Sequence, residues 1–141
     1  MAAISRIDVR LKTGDRGSAG TDGNVYIAVC GREFHIDSAV DDFERASDRT
    51  YTLGAGANIN NAAYNSPSSP FALDTGDADR FPVWLRFEPA GSGPNWDLEE
   101  VIVTLNPGPS QVQFQALGGS NHLWLGQDFG KFVFMKKLAR G

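Results

Sequence analysis

The chain has 141 residues, 41% of them hydrophobic, enough for one domain that buries a core without help from disulfides or a structural metal. Its 13 basic residues against 17 acidic ones give a formal net charge of −4, which argues against a nucleic-acid partner held through a basic face. The single cysteine, Cys30, cannot form an internal disulfide, and it lies in an apolar run as a small buried hydrophobe would.

The first residues, MAAISRIDVRLK, place Arg6 and Asp8 where a signal peptide needs an unbroken apolar stretch. No run approaches the roughly 20 apolar residues of a membrane span. A soluble chain, in the cytoplasm, is therefore expected. Period-two alternation then recurs along the chain: Ile7, Val9, Leu11; Val25, Ile27, Val29; Phe34, Ile36; Tyr51, Leu53; Val83, Leu85, Phe87; Val101, Val103, Leu105; Val112, Phe114; and Phe132, Phe134. These positions predict eight short strands. The clusters between them, KTGDRGSAGTDGN, GAGANINNAAYNSPSSP, PAGSGPN and NPGPS, are built from turn-forming residues, and only SAVDDFERAS has room for a helical turn. The pattern is that of an antiparallel β-sandwich formed by residues 1–141 as a single domain. An irregular insertion around 54–80, rich in Asn, Ser, Ala and Pro, is expected to run over one end of it, with Tyr64 and Phe71 as candidate exposed contacts.

Familiar catalytic motifs fail on chemical grounds. GDRGSAGTD lacks the lysine of a P-loop and precedes a strand where a P-loop precedes a helix. GAGANI is one glycine short of the dinucleotide fingerprint, and RGSAG has Arg16 where a nucleophile elbow needs glycine. The two histidines, His35 and His122, are far apart and read as structural, since with one cysteine they make no typical zinc site. No enzymatic activity is expected.

The acidic residues are more informative. Asp37, Asp41, Asp42, Glu44 and Asp48 fall within one short span that holds Arg45 as its only basic residue. Hard oxygen donors gathered in loops suit calcium, which accepts six to eight oxygens at about 2.3–2.6 Å in irregular geometry. An EF-hand is excluded, because counting from Asp15 the twelfth position is Tyr26 and not Glu. A calcium site must therefore be assembled from two loops, with Gly20, Thr21 and Asp22 as the second contributor. The competing reading makes these acids ordinary: Asp37, Asp41 or Asp42 as a cap, and Glu44 and Asp48 as surface partners of Arg45 and Arg49.

In their order along the chain, VRLKTGDRGSAGTDGNVYIAVCG, DDFERASDRTYTL, PNWDLEEVIVT and NHLWLGQDFGKFVF resemble the PLAT domain, the lipoxygenase-homology sandwich also found in lipases, bacterial alpha-toxins and polycystins. The matching positions are Thr13 and Gly14; Gly20, Thr21 and Asp22; Asp41 to Glu44; Ser47 and Asp48; and Trp96 with Val101 and Val103. Ala46 replaces a frequent glycine, which asks that turn to do without a positive φ. The resemblance implies an eight-stranded antiparallel β-sandwich of PLAT type, with Trp96 packed on the sandwich. It also implies calcium held between the two loops, with oxygens from Gly20, Thr21, Asp22, Asp41, Asp42 and Glu44. The function it implies is a non-catalytic, calcium-binding module that docks onto a lipid membrane surface or a protein partner. The alternatives are a structural or protein-interaction module in which calcium only steadies the loops, and a carbohydrate-binding sandwich.

Overall fold

The structure, a computed structural model, describes residues 2–91 and 95–139. Pro94 of the PNW motif lies outside them. Among the described residues ten strands are formed: β1 (Arg6–Thr13), β2 (Asn24–Val29), β3 (Arg32–Ile36), β4 (Asp48–Gly54), β5 (Trp84–Glu88), β6 (Trp96–Leu105), β7 (Val112–Leu117), β8 (Leu123–Leu125), β9 (Phe132–Phe134) and β10 (Lys136–Lys137). All eight anticipated strands are among them. The count of eight is corrected by β8 and β10, pieces of three and two residues too short to show an alternation. The stretch from Ser38 to Ser47 forms bends and turns and holds no helical turn.

Two antiparallel sheets face one another. One runs in the order β10-β7-β6-β1-β4, with β8 also paired to β6; the other runs β3-β2-β5-β9. Alternate residues of each strand point inward, so Ile7, Val9 and Leu11 of β1 meet Val25 and Ile27 of β2 and Leu85 and Phe87 of β5 in one buried cluster. The alternation of β6 changes phase part-way. Lys12 of β1 stands opposite Glu100 and Thr13 opposite Leu98, so Glu99 has no partner across this pair. This bulge lets Trp96 and Leu98 face inward on one side of it and Val101, Val103 and Leu105 on the other. The β2–β3 hairpin turns on Cys30 and Gly31, with φ of 54° and 81°, the paired positive values of a type I′ turn. Cys30 is partly buried there, and burial, aided by Asp77 and Asp74, pushes its thiol up to about 11.

The long connection from β4 to β5 is ordered by specific ties. Two single turns of 3-10 helix, Ala62–Tyr64 and Thr75–Asp77, punctuate it. The Arg32 guanidinium donates to the carbonyls of Ser66, Ser69 and Tyr64, which gives the segment its main anchor on β3. The backbone amide of His35 donates to the Asn65 side chain, and that of Ile4 to the Leu73 carbonyl. Ile59 and Ala78 are buried, while Tyr64 and Phe71 are 82% and 80% exposed, the exposure anticipated for them. Among the described residues no helix is long and apolar enough to cross a membrane.

Candidate metal centre

Two loops meet at one end of the sandwich: residues 14–23, between β1 and β2, and residues 37–47, between β3 and β4. Their backbones are zipped together. The amide of Thr21 donates to the Phe43 carbonyl, that of Ala46 to Gly14, and that of Thr13 to Ser47. Gly20 is required by this approach, since a Cβ there would lie 2.8 Å from the Arg45 amide nitrogen and 3.1 Å from the Phe43 carbonyl oxygen. Its role is close packing of the two loops.

Phe43 fixes how the acids are presented. Its ring is buried and packs against Tyr51 and Trp96, with centroids 5.7 and 5.3 Å away. Trp96 is wholly buried, packs on Phe87 and donates its indole N–H to the Thr13 hydroxyl at 2.8 Å, which confirms it as core. With Phe43 turned inward at φ 59°, Asp41 and Glu44 on either side of it are left exposed. Ala46, expected to avoid a positive φ, has φ 62° and keeps the left-handed turn without glycine. The hydrogen bonds from Ala46 to Gly14 and from Ser47 to Glu44 hold it there against a cost of about 1–2 kcal/mol.

Between the loops is a polar hollow of about 150 Å³, lined chiefly by Thr21, Asp22, Asn24, Asp37, Asp41 and Asp42. Gly20 and Glu44 are not part of its lining. The acids differ in their commitments. Asp42 accepts from the Ser38 amide at 2.7 Å, the Ser38 hydroxyl at 2.5 Å and the Tyr51 hydroxyl at 3.0 Å, and lies 3.6 Å from Arg49. A carboxylate has about four lone-pair sites, so Asp42 retains little beyond these bonds. Burial and the neighbouring Asp42 carboxylate push the Tyr51 phenol well above its ordinary value, so it remains a donor. Asp37 accepts from the Asn60 side chain at 3.0 Å, which ties the insertion to the rim. Asp41 is exposed and has no hydrogen-bond or ion-pair partner among the described residues. Asp48 belongs to the sheet: Arg10 grips it bidentately at 2.7 and 2.9 Å and holds its carboxyl below the usual range. Arg45 pairs with Asp15 and not with Glu44.

The donor chemistry suits calcium, being all oxygen and including a hydroxyl and an amide as well as carboxylates. Among the described residues, no three carboxylate, imidazole or thiol groups stand together so as to hold a metal ion. Any calcium here draws on hydroxyl, amide, backbone or water oxygens beside its carboxylates.

Sequence reasoning missed a second polar centre on the other flank of the first loop. Asp97, wholly buried on β6, lies 2.9 Å from an Arg16 Nη1 and 2.7 Å from His122 Nδ1. Its own amide donates to the Ala19 carbonyl, and its carbonyl accepts from Gly14. A Cβ at Gly14 would lie 2.5 Å from the carboxylate. Asp97 thus pins the first loop to β6 and to the turn that carries His122, which has the structural role expected of it. His35 also behaves as expected, stacking on Tyr26 at the sheet surface with centroids 4.9 Å apart.

No family model matches the sequence, and no curated protein sequence is found similar to it. Solved structures are. The Clostridium absonum alpha-toxin superposes over 96% of this chain with a TM-score of 0.65 at 21% identity, and this chain covers 32% of the toxin. The alpha-toxin of an avian Clostridium perfringens strain gives 95%, 0.63 and 19%, again over 32% of its length. A coral 8R-lipoxygenase, described as calcium-activated via a C2-like domain, gives 94%, 0.61 and 22% over 17% of its length. The chain therefore spans about a third of the toxins and a sixth of the lipoxygenase. By fold, this chain is a β-sandwich of PLAT type.

Proposed function

We propose that the chain is a non-catalytic docking module whose loop end takes up calcium and then meets a lipid membrane or a protein partner. The observation that carries this reading is the hollow in which Asp22, Asp37, Asp41 and Asp42 line one small space with Thr21 and Asn24. The lining is acidic, and a divalent cation completed by hydroxyl, amide, backbone or water oxygens would offset that charge. Asp41 would give a carboxylate committed to nothing else among the described residues. Asp22 and Thr21 would contribute from the facing loop and Asp42 its remaining lone pair, whereas Gly20 and Glu44 do not line the hollow. Val40, 52% exposed beside the hollow, would then face the partner. The calcium activation described for the coral lipoxygenase supports the reading by analogy of fold.

The test is sedimentation with anionic liposomes. Binding should rise with calcium and fall in Asp41→Ala, a cleaner probe than Asp42→Ala because Asp42 also holds Ser38 and Tyr51. Equal sedimentation with calcium and with chelator would contradict the proposal.

A further inference from the structure

The free edge of the six-stranded sheet, at β4, carries a cleft that the calcium reading leaves unused. It has a volume of about 390 Å³ and shares only Val40 with the lining of the hollow. The stretch from Ser38 to Val40, the strand β4 and Asn58 form its walls. A cleft of this size takes a small molecule or the end of a chain.

The backbone of β4 brings unpaired donors to it. The Thr13 amide donates to the Ser47 carbonyl and the Ala55 amide to that of Ser5, with an unbroken β1–β4 register between these two bonds. Arg49 and Tyr51 therefore turn their backbone groups toward β1, whereas Thr50 and Thr52 turn theirs to the open edge. Asn58 closes most of that edge. Its side chain accepts from the Thr52 amide at 2.8 Å and donates to the Thr50 carbonyl at 3.1 Å, and its own amide donates to the Thr52 carbonyl. The amide and hydroxyl of Thr50 are left without a hydrogen-bond partner among the described residues.

Beside these two donors stands Arg49, the one charged residue of the lining. Its guanidinium lies 3.6 Å from Asp42, beyond hydrogen-bond length, and also approaches the Tyr51 hydroxyl. Most of its five N–H donors are therefore left for a ligand. Donors without acceptors call for an anion, and a carboxylate fits best. Its two oxygens match the guanidinium fork and a neighbouring amide, and its single charge suits one cation already shared with Asp42. A phosphate monoester carries roughly twice that charge at pH 7 and would press its excess against Asp42. Ala39 and the exposed Val40 offer the carbon chain of the ligand an apolar wall.

We propose that this cleft binds an organic carboxylate, seated on the Arg49 guanidinium and on the amide and hydroxyl of Thr50. The inference goes beyond the calcium reading and does not depend on it.

The experiment is an NMR titration of the chain with butyrate in chelator, following the Thr50 amide, with butyramide and inorganic phosphate as comparisons. Butyrate should move the Thr50 resonance saturably, and butyramide should leave it in place. Arg49→Gln should weaken butyrate binding about tenfold or more. Ala39→Glu, which adds a like charge on an exposed wall residue and leaves Arg49 intact, should weaken it by a similar factor, with melting curves showing which variants are folded. A short peptide ending in leucine, its terminus free or amidated, separates two sources of the group. Tighter binding of the free form than of butyrate assigns a chain terminus, and no gain over butyrate assigns a small carboxylate. No saturable shift with butyrate overturns the proposal, as do equal shifts with butyramide, undiminished binding by either folded variant, or tighter binding of phosphate than of butyrate.

Discussion

Asp97 and Asp41 flank the same loop and live in opposite surroundings. Asp97 is wholly buried, with Arg16 and His122 on its carboxylate and backbone bonds to Gly14 and Ala19 on either side. Asp41 is exposed in a hollow shared with other acids and has no partner among the described residues. A buried charge persists only when its lone pairs are filled from within the protein, so Asp97 is a joint in the fold. An exposed acid held among other acids keeps unmet capacity for a cation. Sequence composition shows both as aspartates, and only their environments separate the two uses.

The comparison breaks most readily at Asp97. Asp97→Ala should cost about 2–4 kcal/mol, because it empties a buried site and unties the first loop from β6. Chemical denaturation measures this, and a loss as small as that of Asp41→Ala, expected within about 0.5 kcal/mol, would erase the distinction. Next in size is Gly20→Ala, which forces apart the loops that form the hollow and should cost about 1–3 kcal/mol while also weakening calcium uptake. Unchanged stability there would mean that the loops are not held by their close approach. In the opposite direction, Ala46→Gly should stabilise by about 0.5–1 kcal/mol by relieving the positive φ, which a thermal melt would show.

Acid gives the smallest and most diffuse effect. Arg86 holds the Glu33 carboxyl below its ordinary value, as Arg10 does for Asp48. A carboxyl lowered in the folded state stabilises fully above its unfolded value, near about 4, and loses that contribution as pH falls through the folded value. Stability should thus decline below about pH 4 and be less steep in Arg86→Gln, as a pH series of melts would record.

Much of the fold was legible because strands buried on one face print their alternation in the sequence. β1, β2, β5 and the latter part of β6 are clear examples. β8 was hidden in a three-residue stretch between turn residues, and β10 is a pair of exposed lysines with no apolar signal. The hollow was legible in part. The two loops that meet are those expected, but the choice of partners within them depends on residues far away in sequence. Arg10 takes Asp48 from across the sheet, Tyr51 takes Asp42, and Asn60 takes Asp37. Asp97 gave no signal because its partners, Arg16 and His122, are 81 and 25 residues distant and are brought to it by a loop and a turn. The cleft beside β4 was equally silent, since nothing in the order of residues shows that Asn58 returns to the strand edge at Thr50 and Thr52.

The central claim is that the hollow between the two loops takes calcium. Calorimetric titration of calcium into the wild-type chain and into Asp41→Ala tests it most directly. The account predicts a saturable heat for the wild type that is absent or much reduced in Asp41→Ala, with a matching calcium-dependent rise in Tm for the wild type alone. No heat in the wild type, or equal heats in both proteins, would contradict it.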